Sequence, residues 1–245
     1  MVKSLEKALN ILNCFSIEKP ELGITEISQM TGLYKSNVFN IVSTFVRCGY
    51  LEQNPETGKY RIGLKIMNLS HILSTSMGFH SIVHRCINEL AKAIDEIVYF
   101  GIPNGENVMY MEGAYPEKCY NIRWVQGMTA PLVCTAIGKA MLAYMDESFI
   151  DQLLQKPLRK YTDYTITDPD VLRAELLLTK QRGYSVDNME HEYGIKCVGV
   201  PVFNHSGELV GALSTTGPSL RFSEEQSAIF VSLLKEKAEI IRQNF

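Results

Sequence analysis

The residues from Lys35 to Arg47 combine short hydrogen-bonding side chains with a cation at each end, and they include no acidic residue. A solvated helix face usually mixes Glu and Lys in pairs four residues apart. This stretch is better suited to nucleic-acid base edges, with its cations near phosphates. The side chains concerned are Lys35, Ser36, Asn37, Phe39, Asn40, Ser43, Thr44 and Arg47. The alternative is a plain polar face in a three-helix bundle.

On the opposite side of this stretch, an apolar stripe recurs with helical spacing and predicts a third helix that ends at Gly49. The stripe consists of Val38, Ile41, Val42, Phe45 and Val46. A shorter helix is predicted just before it, with Thr25 as N-cap and Gly32 as its end. Ile27 and Met30 are predicted to face inward on this second helix. Two helices joined by a tight turn containing Gly indicate a helix-turn-helix. Thr25 is a further candidate residue for contact with DNA.

Elements on either side complete a small DNA-binding head. A first helix is predicted from a buried stripe formed by Leu5, Ala8, Leu9, Leu12 and Phe15. After the third helix, residues 50–53 and 60–62 read as short strands around a turn that contains Pro55 and Gly58. A hairpin at this place is a wing. Its tip presents Thr57, Lys59 and Arg61 to phosphates or the minor groove.

The charge distribution fits a division of the chain into a DNA-binding head and a remaining part. Residues 1–70 hold eight Lys or Arg and six Asp or Glu, a net charge of +2. The whole chain has 24 basic and 27 acidic residues and a net charge of −3, so the remainder carries −5. Six cysteines without a C-x-x-C pair argue against a zinc ribbon or a disulfide framework. We expect a cytoplasmic protein without a membrane span or a secretory signal.

The rest of the chain alternates helical and strand patterns. Residues 64–75 predict a linker helix, and a stripe from Phe79 to Ile94 predicts a second, core-facing helix. Strands are predicted at 97–102, 108–111, near 120–125, and at 195–203 and 208–216. Further helices begin near Thr135, after the N-cap Asp168 and at the capping box that opens with Ser223. This mixture indicates an α+β domain with a largely antiparallel sheet.

The motifs that would indicate a specific catalytic activity are incomplete in this sequence. His191 and Glu192 begin like a metalloprotease H-E-x-x-H helix, but Ile195 stands where the second His belongs. Asp187, His191 and Cys197 could bind a metal, although one His and one Cys make a weak ligand set. We therefore predict no catalytic residue, no metal and no cofactor.

The sequence resembles the IclR family of bacterial transcriptional regulators over nearly its whole length. In the head the resemblance rests on residues 4–9, 23–27, 35–38, 49–51 and 57–63. In the body it rests on residues 135–140, 166–168, 182–184, 187–190, 194–197, 201–203 and 214–218. The resemblance implies a winged helix-turn-helix domain at 1–63, a linker helix at 64–78 and a GAF-like effector-binding domain at 79–245. It also implies a homodimer or a dimer of dimers.

The resemblance further implies an effector pocket for a small carboxylate. The family's pocket residues fall on Ala136, Ile137, Asp187, Cys197, Ser214 and Thr216, with Ile122, Ala130 and Ile195 as an apolar wall. A helix start with free N–H groups and hydroxyls on a facing strand suits an anion. The chain departs from the family in the third helix, where Asn37, Phe39 and Asn40 replace the usual Thr, His and Arg. Asn40 could read adenine, and Phe39 could meet a thymine methyl.

Two functional classes follow from the sequence. The favoured one is a ligand-responsive regulator, a repressor of a catabolic operon that binds a double-stranded DNA operator and senses a sugar acid or a small 2-oxo acid. The alternative is a small-molecule-binding protein or enzyme whose N-terminal bundle serves for association only.

Overall fold

The computed structural model describes residues 1–76, 78, 80–117 and 125–244. The chain forms two compact units, Met1–Met77 and Gly78–Phe245. The first is called the head below, and the second the C-terminal unit. None of the helices within those described ranges combines the length and the apolarity needed to cross a bilayer.

Helices and one hairpin make up the head. They are α1 (Lys3–Leu12), α2 (Ile24–Thr31), α3 (Lys35–Arg47), β1 (Leu51–Gln53), β2 (Tyr60–Ile62) and α4 (Lys65–Ser76). The two strands are antiparallel, and Leu22 bridges to Tyr60 beside them. At the end of α2, Gly32 has φ of 71°, a left-handed conformation that glycine adopts without strain. This order of elements confirms the predicted winged helix-turn-helix.

The core of the head differs from the prediction at α1. Ile11 is fully buried with Ile27 and Val42. Leu5 and Leu9, which were predicted to be buried, are 58% and 50% exposed. Only the C-terminal end of α1 supplies the core, because the residue that fills it is Ile11, on a different side of the helix from Leu5 and Leu9. The prediction of a buried Leu5–Leu9 stripe was therefore wrong for the chain by itself, and so was that of Met30, which is 48% exposed.

The predicted N-cap of α2 is also corrected. The helix begins at Ile24 with Gly23 as its N-cap, and Thr25 lies exposed within the first turn. The carboxylate of Glu26 accepts a hydrogen bond from the Gly23 N–H at 2.7 Å. A glutamate at the third helical position can satisfy this donor, so the helix start does not need the Thr25 hydroxyl.

The C-terminal unit is an antiparallel sheet with helices on both faces. Its elements are α5 (His80–Ile94), β3 (Ile97–Asn104), β4 (Asn107–Ala114), β5 (Thr129–Pro131), α6 (Ala136–Leu142), α7 (Glu147–Leu154), α8 (Pro169–Arg182), β6 (Ser185–Asn188), β7 (Ile195–Phe203), β8 (Leu209–Pro218) and α9 (Glu224–Gln243). The six strands have the order β5-β4-β3-β8-β7-β6, and each neighbouring pair is antiparallel. The predicted α+β class with a mainly antiparallel sheet is confirmed.

Alternation along the strands divides the C-terminal unit into two cores. Val98 and Phe100 of β3 point to the face covered by α5 and α9, as do Val198 and Val200 of β7. On the other face, α6, α7 and α8 pack in a second cluster that includes Ala212. In β3, β7 and β8, the residues that alternate with those of the first core therefore point to this second face of the sheet.

Local signals placed most helices of the C-terminal unit correctly. Asp168 caps α8 by accepting hydrogen bonds from two N–H groups of its first turn, and Ser223 caps α9 by accepting one from the Gln226 N–H. The helix α7 and the short strands β5 and β6 had not been predicted. The strand predicted near 120–125 lies outside the described residues except for Val125.

Candidate functional sites

The recognition face of α3 is open. Every side chain predicted to contact DNA from this helix is exposed: Lys35, Ser36, Asn37, Phe39, Asn40, Ser43 and Arg47. Val38 and Val42 on the opposite side are fully buried, which fixes the rotation of the helix. Among the described residues, no carboxylate lies within ion-pair distance of Lys35 or Arg47. These two cations therefore stay available for phosphates.

The cations of the wing are engaged within the head, which the sequence did not indicate. Lys59 Nζ lies 3.1 Å from a Glu26 oxygen, and Arg61 lies 3.2 Å from Glu52. Glu21 accepts a hydrogen bond from the Thr57 hydroxyl at 3.3 Å. The three predicted wing contacts thus cluster at the hairpin, and each already has an acidic partner. The pairs are half exposed, so a phosphate can compete for these cations.

A cavity of about 750 Å³ lies in the C-terminal unit, between the sheet and the start of α6. Strand register arranges its floor in three rows, each two residues further along the strands. The first, second and third rows are Tyr99-Ser214, Ile97-Thr216-Cys197-Asp187 and Pro218-Ile195, and Gly199 continues the first row beneath α6. The cavity therefore extends from α6 toward the start of β7 and the end of β8.

The residues proposed for the effector pocket come together here. Eight of the nine line this one cavity: Ala130, Ala136, Ile137, Asp187, Ile195, Cys197, Ser214 and Thr216. The ninth, Ile122, lies outside the described residues. These residues span four strands and one helix, so their convergence depends on the sheet order and not on proximity in sequence.

The start of α6 sits directly on the first row. Gly199 permits this approach, because a Cβ there would stand 2.7 Å from the carbonyl oxygen of Ala136. Thr135 is the N-cap, and its hydroxyl accepts a hydrogen bond from the Gly138 N–H at 3.1 Å. The N–H groups of Ala136 and Ile137 have no acceptor within the helix. Both residues line the cavity, and α6 is 7 residues long.

The second row holds the titratable groups of the cavity. Asp187 is only 3% exposed, and one of its oxygens accepts a hydrogen bond from the Glu190 N–H at 2.7 Å. Burial raises the pKa of Asp187 to about 7, although the nearby Lys139 acts in the opposite direction. Cys197 donates its S–H to the Thr216 hydroxyl at 3.0 Å, and burial raises the pKa of its thiol. The cavity thus offers a carboxyl that is half protonated near neutral pH, beside hydroxyl and thiol groups.

Several cavity residues were missed by the sequence reasoning. Glu96, which precedes the second-row residue Ile97, is 4% exposed and pairs with Arg221, at 2.8 Å from Nε and 3.1 Å from Nη2. Tyr110 also lines the cavity, and so does His191, which the sequence had offered only as a candidate metal ligand. Glu96 and Arg221 are 125 residues apart, so no local spacing could reveal their pairing.

The metal alternative gains no support from the geometry. Within the part of the chain that the structure describes, no group of three or more His, Cys, Asp or Glu is placed to hold a metal ion. Asp187 and Cys197 are partners in register, but the thiol is hydrogen-bonded to Thr216 rather than turned to a shared centre.

An acid-free recognition helix in a winged head, on a chain whose C-terminal unit holds a polar cavity, defines a helix-turn-helix transcriptional regulator. The chain belongs to the IclR family. Residues 71–243 match the family described as "Bacterial transcriptional regulator IclR C-terminal", and residues 4–55 match "IclR helix-turn-helix domain". The resemblance drawn from the sequence is confirmed. The alternative of an enzyme with an associating bundle is set aside, because both matched domains are those of regulators.

Relatives of known class cover almost the full chain. The HTH-type transcriptional regulator XynR of Escherichia coli is 32% identical over 96% of this chain and 94% of its own length. The regulator KdgR of the same organism is 32% identical over 98% of this chain and 91% of its own. Among solved structures, an IclR homolog from Microbacterium hydrocarbonoxydans complexed with 4-hydroxybenzoate has a TM-score of 0.88. It is 21% identical and covers 98% of each chain, so this likeness shows the fold alone.

Proposed function

We propose that this protein is a ligand-responsive repressor of a catabolic operon, which acts in the cytoplasm and senses a small carboxylate or sugar acid. The observation that carries the proposal is the convergence of the eight pocket residues on one cavity, in a chain whose head exposes an acid-free recognition helix. Coupling between effector and operator is reciprocal and typically amounts to ~1–3 kcal/mol.

The chemistry of the cavity favours a hydroxylated acid. The N–H groups at the start of α6 and the hydroxyls of Ser214 and Thr216 can hold an anion or a sugar chain. A neutral Asp187 can donate to a carboxylate, and a charged one can accept from hydroxyls. The Microbacterium homolog, whose fold is the same, is complexed with an aromatic hydroxy acid.

Exposed apolar side chains of α4 support the proposed homodimer or dimer of dimers. Met67 is 70% exposed, Ile72 is 55% exposed and Leu73 is 52% exposed. An isolated helix face of this kind is stabilised when a second copy covers it. In a dimer the two recognition helices can reach neighbouring half-sites of one operator.

The proposed function is tested by fluorescence anisotropy on the duplex upstream of the protein's own gene and on a scrambled duplex, across a salt series. We expect tight, sequence-selective binding with a steep salt slope. The same assay then screens carboxylates and sugar acids for the one that changes affinity. Weak, salt-indifferent binding to both duplexes and to genomic fragments would contradict the proposal.

Replacing Glu52 by Gln should strengthen DNA binding about threefold to tenfold. The substitution removes the nearer of the two carboxylates beside Arg61, at 3.2 Å, and leaves only Glu21 at 4.0 Å, so the guanidinium is more available to a phosphate. Glu56→Gln is the matched control, because it removes an exposed carboxylate of the same hairpin that forms no ion pair among the described residues. Anisotropy at a fixed low salt concentration measures both variants. Equal gains in the two would show that only net charge matters and that Arg61 does not contact DNA.

A further inference from the structure

Asp187 faces the effector cavity from the second row of its floor. It is the register partner of Cys197, which is in turn the partner of Thr216. The Cys197 thiol donates a hydrogen bond to the Thr216 hydroxyl at 3.0 Å, and register partners project to the same face of a sheet. All three residues line the cavity, and Asp187 is only 3% exposed. The polar floor of the cavity therefore includes a buried carboxyl group.

This carboxyl group has no paired cation within the part of the chain that the structure describes. Its hydrogen-bond donors are backbone N–H groups of the loop between β6 and β7, including that of Glu190 at 2.7 Å. Lys139 is close enough to lower the pKa of Asp187, but it forms its own ion pair with Glu190. Arg221, which also lines the cavity, is paired with Glu96 at 2.8 Å. Both cations are therefore already engaged by glutamates.

The other described titratable groups near Asp187 lie on β7, just before α6, and in the loop between β6 and β7. They are Cys197, Cys134, Glu190, His191 and Glu192. Burial raises the pKa of both thiols, so neither thiol is charged near neutral pH. The two glutamates add negative charge to the surroundings of Asp187. Among these five groups, only His191 can carry a positive charge.

A ligand carboxylate beside Asp187 therefore meets a like charge in a buried place. Two carboxylates that share such a site do not both stay ionised, because their repulsion raises the pKa of one of them. A proton shared between them instead forms an O–H···O⁻ hydrogen bond, which is short and charge-assisted. Burial already raises the pKa of Asp187 to about 7, so this proton is acquired easily near neutral pH. A ligand hydroxyl at the same place would need no proton, because a charged Asp187 accepts from it directly.

We propose that the carboxylate of the effector binds Asp187 directly through one shared proton, so that effector binding takes up a proton from the solvent. The effector then lies with its acid end at β6 and its other groups over Thr216 and Ile97 of the same row. The regulator responds to lower concentrations of effector as the pH falls. This inference rests on the proposed function in taking the cavity as the effector site.

Isothermal titration calorimetry of the full chain with galactonate and with pyruvate tests the inference. Each titration at pH 8 is carried out in phosphate and in Tris, whose different enthalpies of ionisation reveal the number of protons taken up. We expect at least one acid to bind with uptake of about one proton at pH 8, and its affinity to fall about tenfold between pH 6 and pH 8. Binding without proton uptake, or no binding of either acid, would overturn the inference.

Two variants identify the group that takes up the proton. Asp187→Asn can still donate a hydrogen bond to a carboxylate but cannot ionise, so it should bind the acid without proton uptake and with the same affinity at pH 6 and pH 8. A merely structural role of Asp187 would change the affinity equally at both pH values and leave the uptake in place. His191→Gln should retain the uptake of the wild-type protein. Loss of the uptake in His191→Gln but not in Asp187→Asn would refute the proposal.

Asp163→Asn is the matched control. Asp163 is an exposed aspartate that pairs with Lys160 and does not line the cavity, so its variant should take up the proton as the wild-type protein does. Operator binding by the wild-type protein in the absence of acids tests the proposed function separately. A protein that binds its operator, and binds an acid without taking up a proton, would retain the proposed function and lose this inference.

Discussion

Replacing Lys139 by Met should lower the free energy of unfolding by about 3–5 kcal/mol, the loss typical when one partner of a buried ion pair is removed. The Lys139 side chain is 1% exposed, and it forms an ion pair with the carboxylate of Glu190, which is 6% exposed. Methionine fills a similar volume but leaves the Glu190 charge buried without its cation. Urea unfolding followed by circular dichroism at pH 7.5 measures the change.

A surface pair provides the control for Lys139. Lys156 forms an ion pair with Glu106, and both side chains are about half exposed, at 59% and 47%. Lys156→Met should therefore change stability by less than about 1 kcal/mol. The double variant Lys139→Met/Glu190→Gln should recover most of the loss, because neither remaining group is charged. Similar losses at both lysines, or no recovery in the double variant, would show that burial does not govern this pair.

The deficit of Lys139→Met should also depend on pH. Burial raises the pKa of Glu190 above its ordinary value of 4.5, while Lys139 lowers it, so removing the lysine raises it further. A carboxyl with a raised folded-state pKa contributes stability below its unfolded pKa and loses it as pH rises. The difference from the wild-type protein should therefore shrink between pH 8 and pH 5. A deficit that stays constant with pH would point to lost packing rather than lost charge.

Lys139 illustrates what the sequence could not provide. The sequence around Lys139 lacks the upstream glycine and the Ser or Thr of a phosphate-binding loop, but it gives no sign that the lysine is buried. Its partner Glu190 lies 51 residues away, just beyond the end of β6, and meets Lys139 only because α6 packs on the sheet beside that strand. The ion pairs of the wing could not be predicted for the same reason, because Lys59 and Glu26 are 33 residues apart in the sequence.

Elements with strong local signals were predictable. Asp168 followed by Pro169 located the start of α8, and Thr135 located the start of α6. The strand β6 escaped because four residues are too few for a clear alternation, although Asp187 within it was assigned to the cavity by family resemblance. Exposure on α1 could not be read from spacing, since Leu5 and Leu9 match an amphipathic stripe that the isolated head leaves uncovered. Local chemistry therefore predicts where elements begin, and tertiary contacts decide which face is buried.

Asp187→Asn should stabilise the ligand-free protein at pH 8 by up to about 4 kcal/mol. Burial raises the pKa of Asp187 from 3.8 to about 7, and each unit corresponds to about 1.4 kcal/mol. Because the shift is upward, the contribution of Asp187 to stability is full below the unfolded pKa and is lost as pH rises through about 7. Asparagine cannot ionise, yet its oxygen can still accept the hydrogen bond from the Glu190 N–H.

The advantage of Asp187→Asn should therefore grow between pH 5 and pH 8, as measured by urea unfolding at several pH values. The charged groups that act on Asp187 are Glu190 and Lys139, so Glu190→Gln serves as the control for a second titration in the same range. If Asp187→Asn gave the same advantage at pH 5 and at pH 8, burial of the Asp187 charge would not be the cause. A variant that is more stable at high pH would mean that the buried carboxyl opposes folding there. Its place in the cavity would then be explained by the ligand it binds rather than by the fold it supports.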